Sequence, residues 1–450
     1  MARTLGTINA TEDKLRLLSI SRKYFDKFSI LLRTPEHIRV AKVSTRFRDV
    51  FEVSAHREGT TLQLHHMPDM TSWELREFFR LAGKHIEHLT CEIALVDRDF
   101  LIPLIISFCP QLKALIFYNS LNDDSIKKLQ HLKCLRSLAL SDNQMLTGVS
   151  LLLHAGENIN QFSYITELNL CGCNKLTSHN LVGILQYLEH LSRLDIRESV
   201  RPTPDIYTAL AIHCQKIEVL KMSCPNVPFK IISHLPRLSE LTLVDRVSSC
   251  FKKKSMLLEL AAYRANQMQL LEIISRDTLR FQHMVLISHL ENLRVLSITS
   301  NLAVDDEALN LFCNLIKLEK LTLKECKAVS DEGLSRLLSH CKQLHYINVQ
   351  FCLKITNQFA IGAIHTLTTE NTERKKPLEL YVHRTKVDMS VLSKNATYKE
   401  AVANSLIKVV PNVTQLDLIY QVFFNYPLHE AKSGDEDEGI DLTEPKLFGF

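Results

Sequence analysis

The sequence predicts an α/β solenoid: an open, curved parallel sheet in which each strand is followed by one helix. Three observations carry this. Segments of the form L-x-x-L-x-L recur along most of the chain, helix-period apolar stripes lie between them, and successive segments begin close to 26 residues apart. The clearest unit runs from Leu318 to Cys352. Leu318, Leu321, Leu323 and Cys326 mark one strand segment, and Leu344, Ile347, Val349 and Cys352 mark the next, 26 residues on. Between them Leu334, Leu337, Leu338 and Cys341 fall at i, i+3, i+4 and i+7, one stripe of a helix. Neighbouring strands sit about 4.8 Å apart, whereas packed helices need about 8–10 Å, so the array has to curve with strands on its concave side and helices on its convex side.

Taken in order, residues 1–13 read as a flexible lead and residues 14–52 as three short helices outside the repeat. Tyr24, Phe25, Phe28, Ile30, Leu31 and Leu32 supply an apolar helix, and Thr34-Pro35 marks the next start. Three such helices bury too little surface to stand alone and should lean on a neighbour or a partner. About 13 repeats are expected over 59–431. Their frames start at Ile86, Leu112, Leu135, Ile165, Leu191, Ile217, Leu238, Met268, Leu293, Leu318, Leu344, Pro377 and Val413, with a degenerate first copy around Leu62 and Leu64. Helical stripes such as Leu75, Phe78, Phe79 and Ala82, or Leu181, Ile184, Leu185 and Leu188, fill the intervals. Acidic residues at Asp305, Asp306, Asp331 and Glu332 suit helix starts. Insertions are expected near 244–267, which carries Lys252-Lys253-Lys254, and near 366–376, a polar run expected to be a surface loop.

Composition sets the class. Of 450 residues, 46% are hydrophobic and 23% charged, the balance of an ordinary folded domain, and a net charge of +4 gives no nucleic-acid signature. The tail, 432–450, holds six acids against Lys432 and Lys446, so it carries −4 and residues 1–431 carry +8. It ends in the apolar run Leu447-Phe448-Gly449-Phe450, which is expected to dock, with the acids folding back on the basic solenoid. Nothing resembles a signal peptide or a stretch of about 18 apolar residues, so a soluble chain of the cytoplasm and/or nucleus is expected, with no membrane partner. Twelve cysteines in that compartment should be reduced.

Cys173, Cys326 and Cys352 share one slot, three residues past the last strand apolar residue, which Asn143 and Asn301 fill in other copies. Cys109, Cys214, Cys313 and Cys341 fall near helix ends. Both sets read as small core side chains rather than metal ligands, since no second pair or His cluster lies at ligand spacing. No nucleophile elbow, phosphate-binding loop or dinucleotide fingerprint occurs, and Gly is scarce at 12 residues, so neither catalysis nor a cofactor is expected.

The sheet's concave face is the better candidate. The residue between the last two apolar positions of each frame, and the one after them, point away from the helices. These positions give Asp195, Arg197, Lys221, Thr242, Glu272, Ser297, Thr299, Thr322, Lys324, Asn348, Gln350, Tyr381, His383, Asp417 and Ile419. Among them and beside them, Arg197, Lys221, Lys324, Asn348, Gln350, Phe351, Tyr381, His383 and Tyr420 are the candidate protein-binding residues, aromatic weight lying toward the C-terminus. An ordinary solvated sheet face remains the alternative for any one of them.

The 26-residue unit with its Cys resembles the cysteine-containing leucine-rich repeat, which makes the fold a leucine-rich-repeat solenoid. Ahead of it, Phe28-Ser29-Ile30-Leu31 and the run from Pro35 to Arg48 resemble an F-box. That family's second helix carries Leu-x-x-x-x-x-Val-(Cys/Ser)-(Lys/Arg)-x-(Trp/Phe), to which Ile38 through Phe47 is similar. The whole chain resembles F-box/leucine-rich-repeat proteins, the substrate receptors of Skp-cullin-F-box ubiquitin ligases. The resemblance implies that Phe28, Leu31, Pro35, Ile38, Val43 and Phe47 bind the Skp adaptor, and through it the cullin, while the solenoid holds a protein substrate. The pattern departs at Ser19-Ile20, where a Leu-Pro pair opens the motif, and at Lys27, where the family has Ile. A non-ligase repeat scaffold or inhibitor is the alternative.

Overall fold

The computed structural model describes residues 61–64, 70–92, 98–118, 121–152, 161–200, 203–224, 235–245, 253–369 and 376–412. The lead 1–13, the F-box-like segment 14–52, the copy expected at Val413 and the tail 432–450 lie outside these residues.

Fourteen strands of the described residues form one parallel sheet in strict sequence order. They are β1 (Thr61–Gln63), β2 (His88–Glu92), β3 (Ala114–Tyr118), β4 (Ser137–Ala139), β5 (Glu167–Asn169), β6 (Arg193–Ile196) and β7 (Val219–Ser223). Then come β8 (Glu240–Asp245), β9 (Leu270–Ser275), β10 (Val295–Thr299), β11 (Lys320–Thr322), β12 (Tyr346–Asn348), β13 (Leu378–Tyr381) and β14 (Ile407–Val410). The register pairs the central apolar residue of each frame with its counterpart in the next: Leu271 with Leu296, Leu296 with Leu321, Leu321 with Ile347 and Ile347 with Leu380. All five are sealed from water against the helices, each contributing about 1.5–3 kcal/mol through burial. The leucine-rich-repeat solenoid expected from the spacing is therefore the fold, with a single continuous apolar core from Leu62 to Ile407.

Helices pack on the side of the core opposite the sheet. The helix Asp331–His340 buries Leu334, Leu337 and Leu338, and Phe312 and Phe359 are fully buried in the helices on either side of it. Asp305 caps the helix Asp306–Phe312 by accepting from the Ala308 N–H at 2.9 Å. Ser330 holds the N-cap position of the next helix without a side-chain cap bond, because its hydroxyl donates instead to Asp306 at 2.6 Å. In several repeats a helix-start carboxylate thereby ties one repeat to the next. Asp331 accepts from the Thr356 amide at 2.8 Å and from its hydroxyl, and Asp123 accepts from Thr147, Gly148 and Ser150.

The turn from strand to helix is where the Cys and Asn slot acts. Asn143 accepts from the Leu121 N–H at 2.5 Å and donates to the carbonyls of Phe117 and Ser141 at 3.3 and 3.1 Å. Asn301 repeats this with Leu279, Ser275 and Thr299. Where Cys fills the slot, its thiol donates to the preceding repeat: Cys173 to Leu140 O at 2.9 Å, Cys326 to Ile298 O at 3.6 Å and Cys352 to Leu323 O at 2.9 Å. The slot thus satisfies backbone groups that the turn would otherwise strand in the core. The residue just before it takes a left-handed conformation in copy after copy: Asp142, Glu198, Ser300, Glu325, Phe351 and Arg384, with φ between 53° and 63°, and Gly172 at 75°. At Gly172 a Cβ would approach Asp142 Oδ1 to 2.1 Å, so any side chain there would have to displace that carboxylate as well as bear the left-handed backbone.

Four expectations are corrected. Thr366–Thr369, placed in a polar loop, belong to the helix Asn357–Thr369, where the hydroxyls of Thr366, Thr368 and Thr369 donate to the carbonyls of Gly362, Ile364 and His365. Inside the interval 244–267, residues Lys253–Tyr263 form a regular convex helix, so the interruption is shorter than expected. Strand β14 was not anticipated: Ile407–Val410 pairs with β13 ahead of the frame expected at Val413. Cys313, read as core, is half-buried at a helix end, its thiol turned back to Leu309 O at 3.5 Å.

Candidate functional site

The concave face presents three rows of side chains, fixed by the strand register. The middle row runs Asn169, Asp195, Lys221, Thr242, Glu272, Ser297, Thr322, Asn348 and Tyr381 along β5 to β13, all from the position that alternation points away from the helices. A second row, one step on, holds Cys171, Arg197, Lys324, Gln350 and His383. A third, one step before, holds Arg193, Lys320, Tyr346 and Glu379.

Several middle-row residues serve the sheet rather than a ligand. Asn169, Asp195 and Asn348 each accept a hydrogen bond from the backbone N–H two residues on, at 2.9, 3.2 and 3.2 Å, closing off a donor that the parallel ladder leaves unused. Glu272 bridges its neighbours, accepting from Thr242 Oγ1 at 3.2 Å and Ser297 Oγ at 3.3 Å. Asp195 also holds Arg197 through a fork of bonds of 2.6–3.1 Å, with both side chains nearly buried. Burial alone would push the Arg197 guanidinium down. The hydrogen bonds and charge of Asp195, with Glu272 farther off, outweigh it and hold the group above its ordinary value, so it is charged at any working pH.

Of the residues singled out from the sequence, the structure brings together Lys324, Asn348, Gln350, Phe351, Tyr381 and His383, on β11 to β13 and the turns that follow them. Backbone bonds set the spacing: Glu325 N–H to Gln350 O and Phe351 N–H to His383 O, each 2.9 Å. Arg197 and Lys221 do not join them; they sit at least four strands away, roughly 19 Å along the sheet at normal strand spacing. Asn348 and Gln350 face away from the helices yet are 3% and 0% exposed, so they form the floor of the site and not its contact surface. Tyr420 lies outside the described residues, as do Phe28, Leu31, Pro35, Ile38, Val43 and Phe47.

Above that floor stands an aromatic and basic cluster. The rings of Tyr346 and Tyr381 lie 4.9 Å apart, Phe351 meets His383 edge-on at 5.5 Å, and the Arg384 guanidinium lies 6.0 Å from the Phe351 ring centroid. The Tyr381 hydroxyl donates to Glu379 at 3.2 Å, and Lys408 on β14 reaches the same carboxylate at 3.9 Å. Tyr346 and Arg384 were missed from sequence. Tyr346 lies two residues before Asn348 on the same face, so strand alternation carried to the start of the strand would have found it. Arg384 occupies the left-handed position just before the slot, whose side chain stands at the rim. Rigid aromatic rings with two or three rotatable bonds, beside cationic groups, suit the capture of a peptide segment.

The remaining candidates for chemistry are quiet. The described cysteines are free thiols, and burial pushes Cys109, Cys173, Cys214 and Cys326 up to about 12, far from a nucleophilic thiolate. Among the described residues no group of three or more His, Cys, Asp or Glu is placed to hold a metal, and no helix is long and apolar enough to cross a membrane.

No protein-family model matches the chain. Among solved structures, it is similar to a chain in the crystal structure of the Rad7 and Elc1 complex in yeast, at 16% identity and a TM-score of 0.48, over 86% of this chain and 96% of that one.

Proposed function

We propose that this protein is the substrate-recognition subunit of a Skp-cullin-F-box type ubiquitin ligase. Residues 14–52 bind the Skp adaptor, and the concave face holds the protein to be ubiquitinated. The observation that carries the recognition half is the cluster of Tyr346, Tyr381, Phe351, His383 and Arg384 over the C-terminal strands. The adaptor half is supported by the F-box-like run Phe28, Leu31, Pro35, Ile38, Val43 and Phe47. A receptor of this kind needs no catalytic group: it raises the local concentration of a substrate lysine near a conjugating enzyme.

Co-purification tests it. The full chain should retain the Skp adaptor at micromolar concentration, and Phe28→Ala or Val43→Asp should abolish that while the melting temperature of the repeats stays unchanged. Absence of adaptor binding by the unmodified chain would sink the ligase reading. Ser19-Ile20 and Lys27 favour a second reading, a repeat scaffold without a ligase. On that reading substrate partners are captured equally well by the Phe28→Ala chain, but none gains ubiquitin in either.

A further inference from the structure

We propose that the aromatic and basic cluster over β11–β13 is the docking surface for this chain's own acidic C-terminal segment, residues 432–450, which competes there with any external partner. The proposal rests on reading the concave face as a recognition surface, and not on adaptor binding.

The chemistry of the two parts is complementary. The segment reads Lys-Ser-Gly-Asp-Glu-Asp-Glu-Gly-Ile-Asp-Leu-Thr-Glu-Pro-Lys-Leu-Phe-Gly-Phe, an acidic block followed by an apolar end with two phenylalanines. The surface offers the matching pair of features in the same order of size. Cationic groups stand at Lys320, Lys324 and Arg384, and tilted rings at Tyr346, Tyr381 and Phe351 provide faces and edges for phenylalanine. The acids on this part of the face are already engaged within the fold: Glu325 accepts from Ser300 Oγ at 2.7 Å, and Glu379 from Tyr381 with Lys408 close by. Their charge is therefore partly answered before an acidic ligand arrives.

The path of the chain makes the encounter local. Strand β14 ends at Val410, beside the C-terminal end of β13, and His383 Nδ1 lies 3.2 Å from the Pro411 carbonyl oxygen. The chain therefore leaves the described fold at the rim where Phe351 and Arg384 stand. Some 20 residues separate Asn412 from Lys432, enough for roughly 66 Å of extended chain, whereas β14 to β11 is roughly 15 Å at normal strand spacing. Covalent linkage over that span puts the segment at about millimolar effective concentration over its target, so even a weak site is occupied.

Phe351 supports the assignment. A bulky residue in the left-handed region is strained, whereas other copies place Asp142 or Gly172 at the same position, which bear the conformation more easily. An aromatic ring kept there at such a cost, at the rim the chain leaves by, fits a ligand that ends in aromatic residues.

The test uses a fluorescent peptide of residues 432–450 as probe, with the full chain and a chain shortened to residues 1–431, both checked for an unchanged far-ultraviolet spectrum and melting profile. Saturable binding to the shortened chain is expected, weakened about 10-fold or more in the full chain because its own segment fills the site. A full chain with Asp435, Glu436, Asp437 and Glu438 changed to Asn and Gln should bind the peptide like the shortened chain, which covers the case in which truncation itself disturbs folding. Lys324→Glu and Arg384→Glu should each weaken the peptide by about 5-fold and steepen with falling salt, whereas Lys399→Glu on a convex helix should not. Equal binding by full and neutralised chains, no binding by either vacated chain, or equal effects of concave and convex charge reversals would each overturn the proposal. None of these outcomes depends on the Skp adaptor, so failure here leaves the ligase reading standing.

Discussion

Tyr346 and Tyr381 stand on neighbouring strands with ring centroids 4.9 Å apart and planes tilted by 38°, one step out of register across the pair formed by Asn348 and Tyr381. Neither ring belongs to the core, and together they form a rigid apolar step on the concave face. Tyr346→Ala and Tyr381→Ala should each weaken a captured partner by about 10-fold or more, as truncation of an interface aromatic does. Pull-down titration against the unmodified chain reads this, and a loss of melting temperature of the same order as the loss of binding would assign the rings to stability instead.

Phe351 offers a separation of the two effects. Phe351→Asn keeps a side chain that tolerates the left-handed backbone while removing the ring. Stability should hold or rise by up to about 1 kcal/mol, since Asn bears that conformation at less cost. Partner binding should fall with loss of the contacts to His383 and Arg384. A denaturant titration beside a binding curve shows whether the two move in opposite directions, as expected, or together.

The Asp195–Arg197 fork makes a prediction about stability. Both side chains are about nine-tenths buried. Arg197→Met leaves a carboxylate with its main partner gone and should cost about 3 kcal/mol, while the paired change Asp195→Asn with Arg197→Met should recover part of it. Urea unfolding of the three variants gives the coupling directly.

Acid should loosen the repeats around Asp123. Burial would raise the pKa of this carboxyl, but bonds from Thr147 and Ser150 outweigh that and hold it below the usual carboxylate value. A group depressed in the folded state contributes stability that is complete above its unfolded value, near 3.8, and is lost as pH falls through the folded one. Asp123→Asn should therefore lower the melting temperature at pH 7 and narrow its gap to the unmodified chain as pH drops below about 4.

Thiol accessibility checks the core. At pH 8 and native temperature, iodoacetamide should leave Cys173, Cys214 and Cys326 unmodified, because burial holds them near 12 as well as out of reach. Peptide mass mapping after brief labelling reads the sites; rapid modification of Cys326 would contradict a closed core.

The sequence makes the fold legible because leucine spacing encodes a register: the frames from Ile86 to Pro377 coincide with β2 to β13. It fails at β14, where Ile407-Lys-Val-Val carries a short apolar run with no leucine frame around it, and pairing with β13 supplies what local pattern lacks. Which side a residue faces is read from alternation, and that reading set Asn348 and Gln350 on the concave side. How deeply they are covered depends on the neighbouring strands, which alternation does not report. The left-handed turn before the Cys or Asn slot was invisible for a similar reason: its φ is imposed by the ladder bonds of the next repeat, as from Phe351 N–H to His383 O.

The consecutive strand order has a mechanical consequence. Each strand is hydrogen-bonded only to those before and after it in the chain, and no late segment is threaded between early ones in the described residues. Pulled from its two ends, such a molecule peels turn by turn, giving a staircase of small force drops instead of one large rupture, and a half-peeled chain keeps its remaining turns folded and ready to rewind.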